Sequence, residues 1–130
     1  MLSDDLCTIL YKEADRLAPE EMCGLMFGGP LFISTKNISL NPTHSFLIDT
    51  GEYTNLLIRH GEPWAVVHSH PGERSNASGA DCRLMDSLQK NANPLDMVIV
   101  GLNPRTIRVY RKQGDAYTCL WHKDDGLSEV

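Results

Sequence analysis

The chain has 130 residues, the size of one ordinary domain, which leaves no room for a second of full size. Hydrophobic residues make up 42% and charged residues 22%, enough to bury a core and to exclude wholesale disorder. Seventeen acidic against twelve basic side chains give a net charge of -5, which argues against a nucleic-acid partner.

Ser3 to Leu17 is expected to be helical. Ser3 caps it, Asp4 and Asp5 suit the positive end of the dipole, and Leu6, Ile9, Leu10, Ala14 and Leu17 recur at helical spacing. Pro19 stops it. Cys23 to Phe27 reads as a short apolar strand entering the turn Gly28-Gly29-Pro30, with Leu31 to Leu40 returning as its hairpin partner. Ser45 to Ile48 reads as another short strand. Tyr53, Leu56, Leu57 and His60 give Gly51 to His60 a helical period, closed by Gly61-Glu62-Pro63. Trp64 to His68 is continuously apolar, like a buried central strand.

Pro71 to Ala77 is a polar loop, and Ser78 to Lys90 a helix with Leu84, Met85 and Leu88 on one side. Asp96 to Leu102 is a second buried strand. Thr106 to Arg111 and Ala116 to His122 alternate about Gln113-Gly114-Asp115, which predicts a terminal hairpin. The expected fold class is α/β: a single mixed β-sheet flanked by helices over residues 1–122, with a frayed polar tail over 123–130. No run approaches the roughly 20 apolar residues of a membrane span. The start, Met1-Leu2-Ser3-Asp4-Asp5, is acidic where a signal peptide is basic, so a cytoplasmic protein without a membrane partner is expected. Cys7, Cys23, Cys82 and Cys119 are scattered, form no CxxC, and are expected to be four reduced thiols.

The chemistry concentrates in His68-Ser69-His70-Pro71, followed by Ser78-Gly79-Ala80-Asp81. Residues two apart on a strand share a face, about 6.5–7 Å apart along it, so His68 and His70 can converge on one ion. Pro71 ends the strand and begins a loop that must fold back. Ser78 is a good N-cap, which puts Asp81 in the first helical turn, able to aim its carboxylate at the histidines. Two imidazoles and one carboxylate suit zinc and leave its fourth position to water, whose pKa the ion brings to about 7. A competing account makes Ser78 and Asp81 an ordinary capping box, and the two accounts compete for the Asp81 oxygens. Cys23 and Cys82 read as inert, hydrophobe-like thiols. His44, His60 and His122 lack spaced partners and read as structural or exposed.

These residues resemble the JAMM (MPN-plus) metallopeptidase signature. His68-x-His70-Pro71, six residues, then Ser78-x-x-Asp81 matches its four fixed types at their offsets. The family also carries an upstream glutamate in Glu-x-Cys-Gly before an apolar strand, as in Glu21-Met22-Cys23-Gly24. Position alone does not choose between Glu20 and Glu21; the resemblance selects Glu21. It implies a cytidine-deaminase-like α/β fold in which His68, His70 and Asp81 hold zinc. It further implies that Glu21 is general base and then general acid, and that Ser78 donates a hydrogen bond to the oxyanion.

The short intervals between motifs resemble the compact prokaryotic and phage forms. The run Asn37-Ile38-Ser39-x-Asn41-Pro42-x-His44-x-Phe46-x-Ile48, then Trp64 to Pro71, resembles the peptidase domain of lambda-like phage tail-assembly proteins. Asn41-Pro42 with Phe46-Leu47-Ile48-Asp49 is equally similar to peptidases that trim ubiquitin-like sulfur carriers. The expected partner is therefore a protein or peptide substrate, a ubiquitin-like protein with a Gly-Gly tail or a phage tail component. The alternatives are a non-catalytic tail-assembly or interaction protein that keeps a zinc site, and another metallohydrolase such as a nuclease or phosphoesterase.

Overall fold

The computed structural model describes residues 1–91 and 93–126. Three helices, α1 (Asp4–Leu17), α2 (Thr50–His60) and α3 (Gly79–Leu88), pack on six strands. The strands are β1 (Cys23–Phe27), β2 (Leu31–Thr35), β3 (Ala65–His70), β4 (Asp96–Leu102), β5 (Arg105–Gln113) and β6 (Ala116–Asp124). They form one sheet in the order β2-β1-β3-β4-β5-β6, with β3 and β4 parallel and every other neighbouring pair antiparallel. The expected α/β class, a mixed sheet flanked by helices, is what is found.

The period of two along each strand divides the core between two faces. Met22, Met26, Ala65, Val67, Val98, Val100, Ile107 and Val109 face α1, meeting Leu6, Leu10 and Ala14. Leu25, Phe27 and Val66 pack with Leu56 of α2, and Met97, Ile99 and Tyr110 with Met85 of α3. His68 and His70 share the parity of Val66, so the sheet itself aims both rings at the face where α3 begins. Among the described residues no helix is long and apolar enough to cross a membrane.

Three boundaries differ from the sequence reading. The return strand stops at Thr35, and Ser45 to Ile48 is no strand but a loop whose ladder-type pairing is an isolated Asn37–Ile48 bridge. The Asn37 side chain explains both, because it takes up backbone groups of residues 39, 42, 45 and 47 that a ladder would need. At the other end, β6 runs through Lys123 and Asp124, into the stretch expected to fray. Lys123 pairs with Asp4 at 2.9 Å, and Tyr11 donates to Asp125 at 3.0 Å, so this segment is docked on α1. The rest of the expected tail, 127–130, lies outside the described residues.

Gly101 decides whether the loop after His70 can fold back. It sits opposite His70 in the parallel β3–β4 register. A Cβ there would lie 2.5 Å from Arg74 C and Ser75 N, so only glycine lets this loop cross β4 so closely. Buried Ser75 then fastens the loop: its N–H donates to Thr106 Oγ1 at 2.9 Å, and Arg108 donates to its hydroxyl at 2.9 Å. Gly101→Ala is expected to destabilise the fold by about 1–3 kcal/mol through overpacking. It should also weaken metal binding, since the displaced loop carries the carbonyl that orients His70. Denaturant unfolding and zinc titration check both, and an unchanged pair of curves would contradict the account.

Candidate metal centre

The loop's return brings α3 in with its N-terminus beside the end of β3. Ser78 caps α3, its hydroxyl accepting from Asp81 N–H at 3.1 Å, while Asp81 Oδ2 accepts from Ser78 N–H at 2.9 Å. This is a reciprocal capping box. The same carboxylate also faces both histidines: Oδ1 lies 2.9 Å from His68 Nε2 and Oδ2 lies 3.1 Å from His70 Nε2. The two Nε2 atoms are 3.2 Å apart. The cap and the ligand set therefore do not compete; the cap fixes the carboxylate that the histidines face.

All three groups are buried, with His68 at 0%, Asp81 at 6% and His70 at 8% exposure. Burial works against the Asp81 carboxylate, but hydrogen bonds from His68 and His70 outweigh it and hold this group far below the usual carboxylate range. Burial pulls His68 down from its ordinary value. Burial also opposes a charged His70, yet its hydrogen bonds to Asp81 and to the Arg74 carbonyl win and push it up.

The donor chemistry fits a divalent cation. His70 Nδ1 lies 3.0 Å from the Arg74 carbonyl, which can only accept, so the Nδ1 carries the proton. In the neutral ring Nε2 is then a lone pair, aimed at a carboxylate and at a second imidazole nitrogen. Three electron-rich atoms within 4.8 Å of one another, buried together, want a positive charge between them. His68 is oriented differently: its Nδ1 is buried without a hydrogen-bond partner among the described residues, and Phe46 stacks on the ring at 4.6 Å and 21°.

Glu21 reaches the same place from the loop just before β1. A cleft of about 400 Å³ is lined by Glu21, Thr43, His44, His70, Pro71, Gly72, Glu73 and Ser78. Burial pushes the Glu21 carboxyl up to about 7; the His70 charge opposes this, and Asp81 and Glu73 reinforce it. Glu20, one residue earlier, is exposed and lines a neighbouring depression with Glu13, Arg16 and Lys36, which Glu21 also borders. Of the two glutamates, only Glu21 shares the cleft with His70 and Ser78.

Several residues that shape the centre were not singled out as such from the sequence. Ser69, between the histidines, points to the α1 face, where its hydroxyl accepts from Met22 N–H at 2.7 Å while its own N–H donates to Met22 O at 2.9 Å. That double clasp ties the Glu21-Met22 backbone to the histidine strand. A polar residue on a wholly buried strand was the available signal, since such a group needs a partner. Phe46 and His44 reach the centre through tertiary packing, which sequence spacing does not report. Cys7 and Cys23 are buried free thiols, Cys119 is exposed, and Cys82 is half-buried on α3. Cys23 faces the Thr35 hydroxyl at 3.4 Å and is no part of the His-His-Asp group.

Comparison with known families matches residues 3–122 to the prokaryotic homologs of the JAB domain. No curated protein matches the chain. A JAB-family domain whose two histidines and one aspartate converge near a half-buried glutamate fits a metal-dependent hydrolase.

Proposed function

The chain belongs to the prokaryotic homologs of the JAB domain, and from that premise we propose that it is a zinc-dependent peptidase of the JAMM type. It hydrolyses a peptide or isopeptide bond in a small protein substrate. The observation that carries this reading is the three-donor set of His68, His70 and Asp81, whose His70 lines one cleft with the raised carboxyl of Glu21. Three protein donors leave a zinc coordination position to solvent, as catalytic sites do and structural ones do not.

His68, His70 and Asp81 would hold the ion, and it would supply Lewis acidity that lowers the pKa of water. The protein's own groups do the rest. Glu21, whose carboxyl burial pushes up in the metal-free protein and a bound cation would draw back down, takes the proton from the attacking water and returns it to the departing amine. Ser78 accepts from Asp81 N–H, which leaves its hydroxyl proton to donate to the oxyanion that develops on the substrate carbonyl. Asp81 stays ionised, and the Arg74 carbonyl keeps the His70 proton on Nδ1.

The substrate this cleft suits is an extended, glycine-rich protein tail, such as the Gly-Gly end of a ubiquitin-like sulfur carrier or a segment of a phage tail protein. A volume of about 400 Å³ holds only a few residues, and backbone without bulky side chains enters most easily. The cytoplasm, where free thiols stay reduced, is the proposed place of action. A hexapeptide with a central Gly-Gly should be cleaved faster than its Ala-Ala counterpart; equal rates for the two would defeat this choice of substrate.

A further inference from the structure

We propose that His44 is a substrate-binding residue whose Nε2–H holds a main-chain carbonyl of the peptide in the cleft. This rests on the peptidase reading of that cleft, and it concerns a residue outside the family signature. Three observations converge on it.

The first is that His44 is held in place, although it is exposed and belongs to no helix or strand. Asn37 closes the loop that carries it. Its Nδ2 donates to the carbonyls of Glu21 at 3.0 Å, Pro42 at 3.3 Å and Ser45 at 3.0 Å. Its Oδ1 accepts from the N–H groups of Ser39 at 3.0 Å and Leu47 at 3.1 Å. The Glu21 N–H donates to Pro42 O at 2.7 Å, and His44 N–H donates to Asn41 O at 3.0 Å. The loop is thus stitched to the backbone of the proposed base.

The second is the ring's own orientation. Thr43 Oγ1 lies 2.7 Å from His44 Nδ1. In the proposed arrangement the hydroxyl is the donor to Nδ1, and the neutral ring then carries its proton on Nε2, the nitrogen left for a ligand.

The third is what the cleft lacks. An extended peptide offers carbonyls that need donors. Glu21 and Glu73 as carboxylates only accept, His70 is engaged by Asp81 and Arg74, and among the described residues no Lys, Arg, Asn or Gln lines the walls. Ser78 is reserved for the reacting carbonyl. His44 is the oriented donor that remains for a second one.

The test uses a dye-labelled hexapeptide with a central Gly-Gly, titrated with zinc present into Glu21→Gln protein, so that binding is read without turnover. Adding His44→Ala should weaken binding about tenfold, the worth of one hydrogen bond. Thr43→Val should weaken it by about two- to threefold through loss of ring orientation, and His44→Gln, which restores an N–H at similar reach, should recover most of the loss. In the active protein, His44→Ala should raise KM more than it lowers kcat. Zinc affinity should be unchanged. Equal binding with and without His44, no saturable binding of the hexapeptide, or a parallel fall in zinc affinity would each overturn the inference. If the native chain fails to hydrolyse this peptide, the peptidase reading falls by itself, while the binding comparison still decides the role of His44.

Discussion

Glu21→Gln is expected to leave the fold and zinc binding intact and to lower kcat by about 10²–10⁴-fold, the range that a positioned general base supplies. Gln keeps the shape and loses the ability to take a proton. The same change should make the metal-free protein more stable at alkaline pH. Burial raises the folded-state pKa of Glu21 from its ordinary 4.5 to about 7, so the folded chain binds the proton more tightly than the unfolded chain does. Native stability therefore falls as pH rises through that window, and the uncharged variant escapes the loss. Below 4.5 the difference should vanish. In the loaded enzyme a cation nearby favours the carboxylate, so the acid limb of kcat/KM should lie at or below about 7. Circular dichroism, zinc titration and unfolding at two pH values check each part. Full activity in the variant would remove Glu21 from its role, and a biological function untouched by the substitution would favour the non-catalytic assembly protein.

The second large effect is on the metal. Asp81→Asn and His68→Ala should each lower zinc affinity by more than the roughly 10–100-fold that loss of an outer partner costs. Asp81→Asn is the cleaner probe. An amide oxygen can still accept from Ser78 N–H, so the capping box of α3 survives, while the negative charge facing both imidazoles is gone. His68→Ala also removes the ring on which Phe46 stacks and leaves a cavity in a fully buried position. Its metal loss must therefore be read beside an unfolding curve. Zinc content after dialysis should fall from about one equivalent to near none in both, and an unaltered content in either would break the ligand assignment.

Most of the sheet could be read in advance because its strands announce themselves locally. Asp96–Leu102 matches its expected limits, and the hairpin about Gly114 is where the alternation placed it. The His68-His70-Asp81 cluster was legible for a related reason. Period-two geometry puts His68 and His70 on one face, and a capped helix start fixes where Asp81 points; both are short-range rules. Glu21 needed more, since position alone does not distinguish it from Glu20; the family resemblance selects it, and of the two only Glu21 lines the cleft with His70 and Ser78.

What escaped the sequence acts across long separations. Asn37 holds the backbone of Glu21, sixteen positions earlier, and so makes a loop of Ser45 to Ile48 despite its strand-like composition. Ser69 clasps Met22 across 47 positions. Gly101 permits the close passage of Arg74 and Ser75, and Lys123 reaches Asp4 from the opposite end of the chain. Each is one polar or small residue whose partner is set by the finished fold, so its local pattern carries no trace of it.

The most direct test of the metal centre is anomalous diffraction at the zinc edge from crystals grown with zinc. A single strong peak is expected among His68 Nε2, His70 Nε2 and the Asp81 carboxylate, within about 2.0–2.2 Å of each donor, with solvent on the remaining side. Density that leaves those three side chains without a shared ion, at zinc concentrations that saturate the protein in solution, would contradict the account.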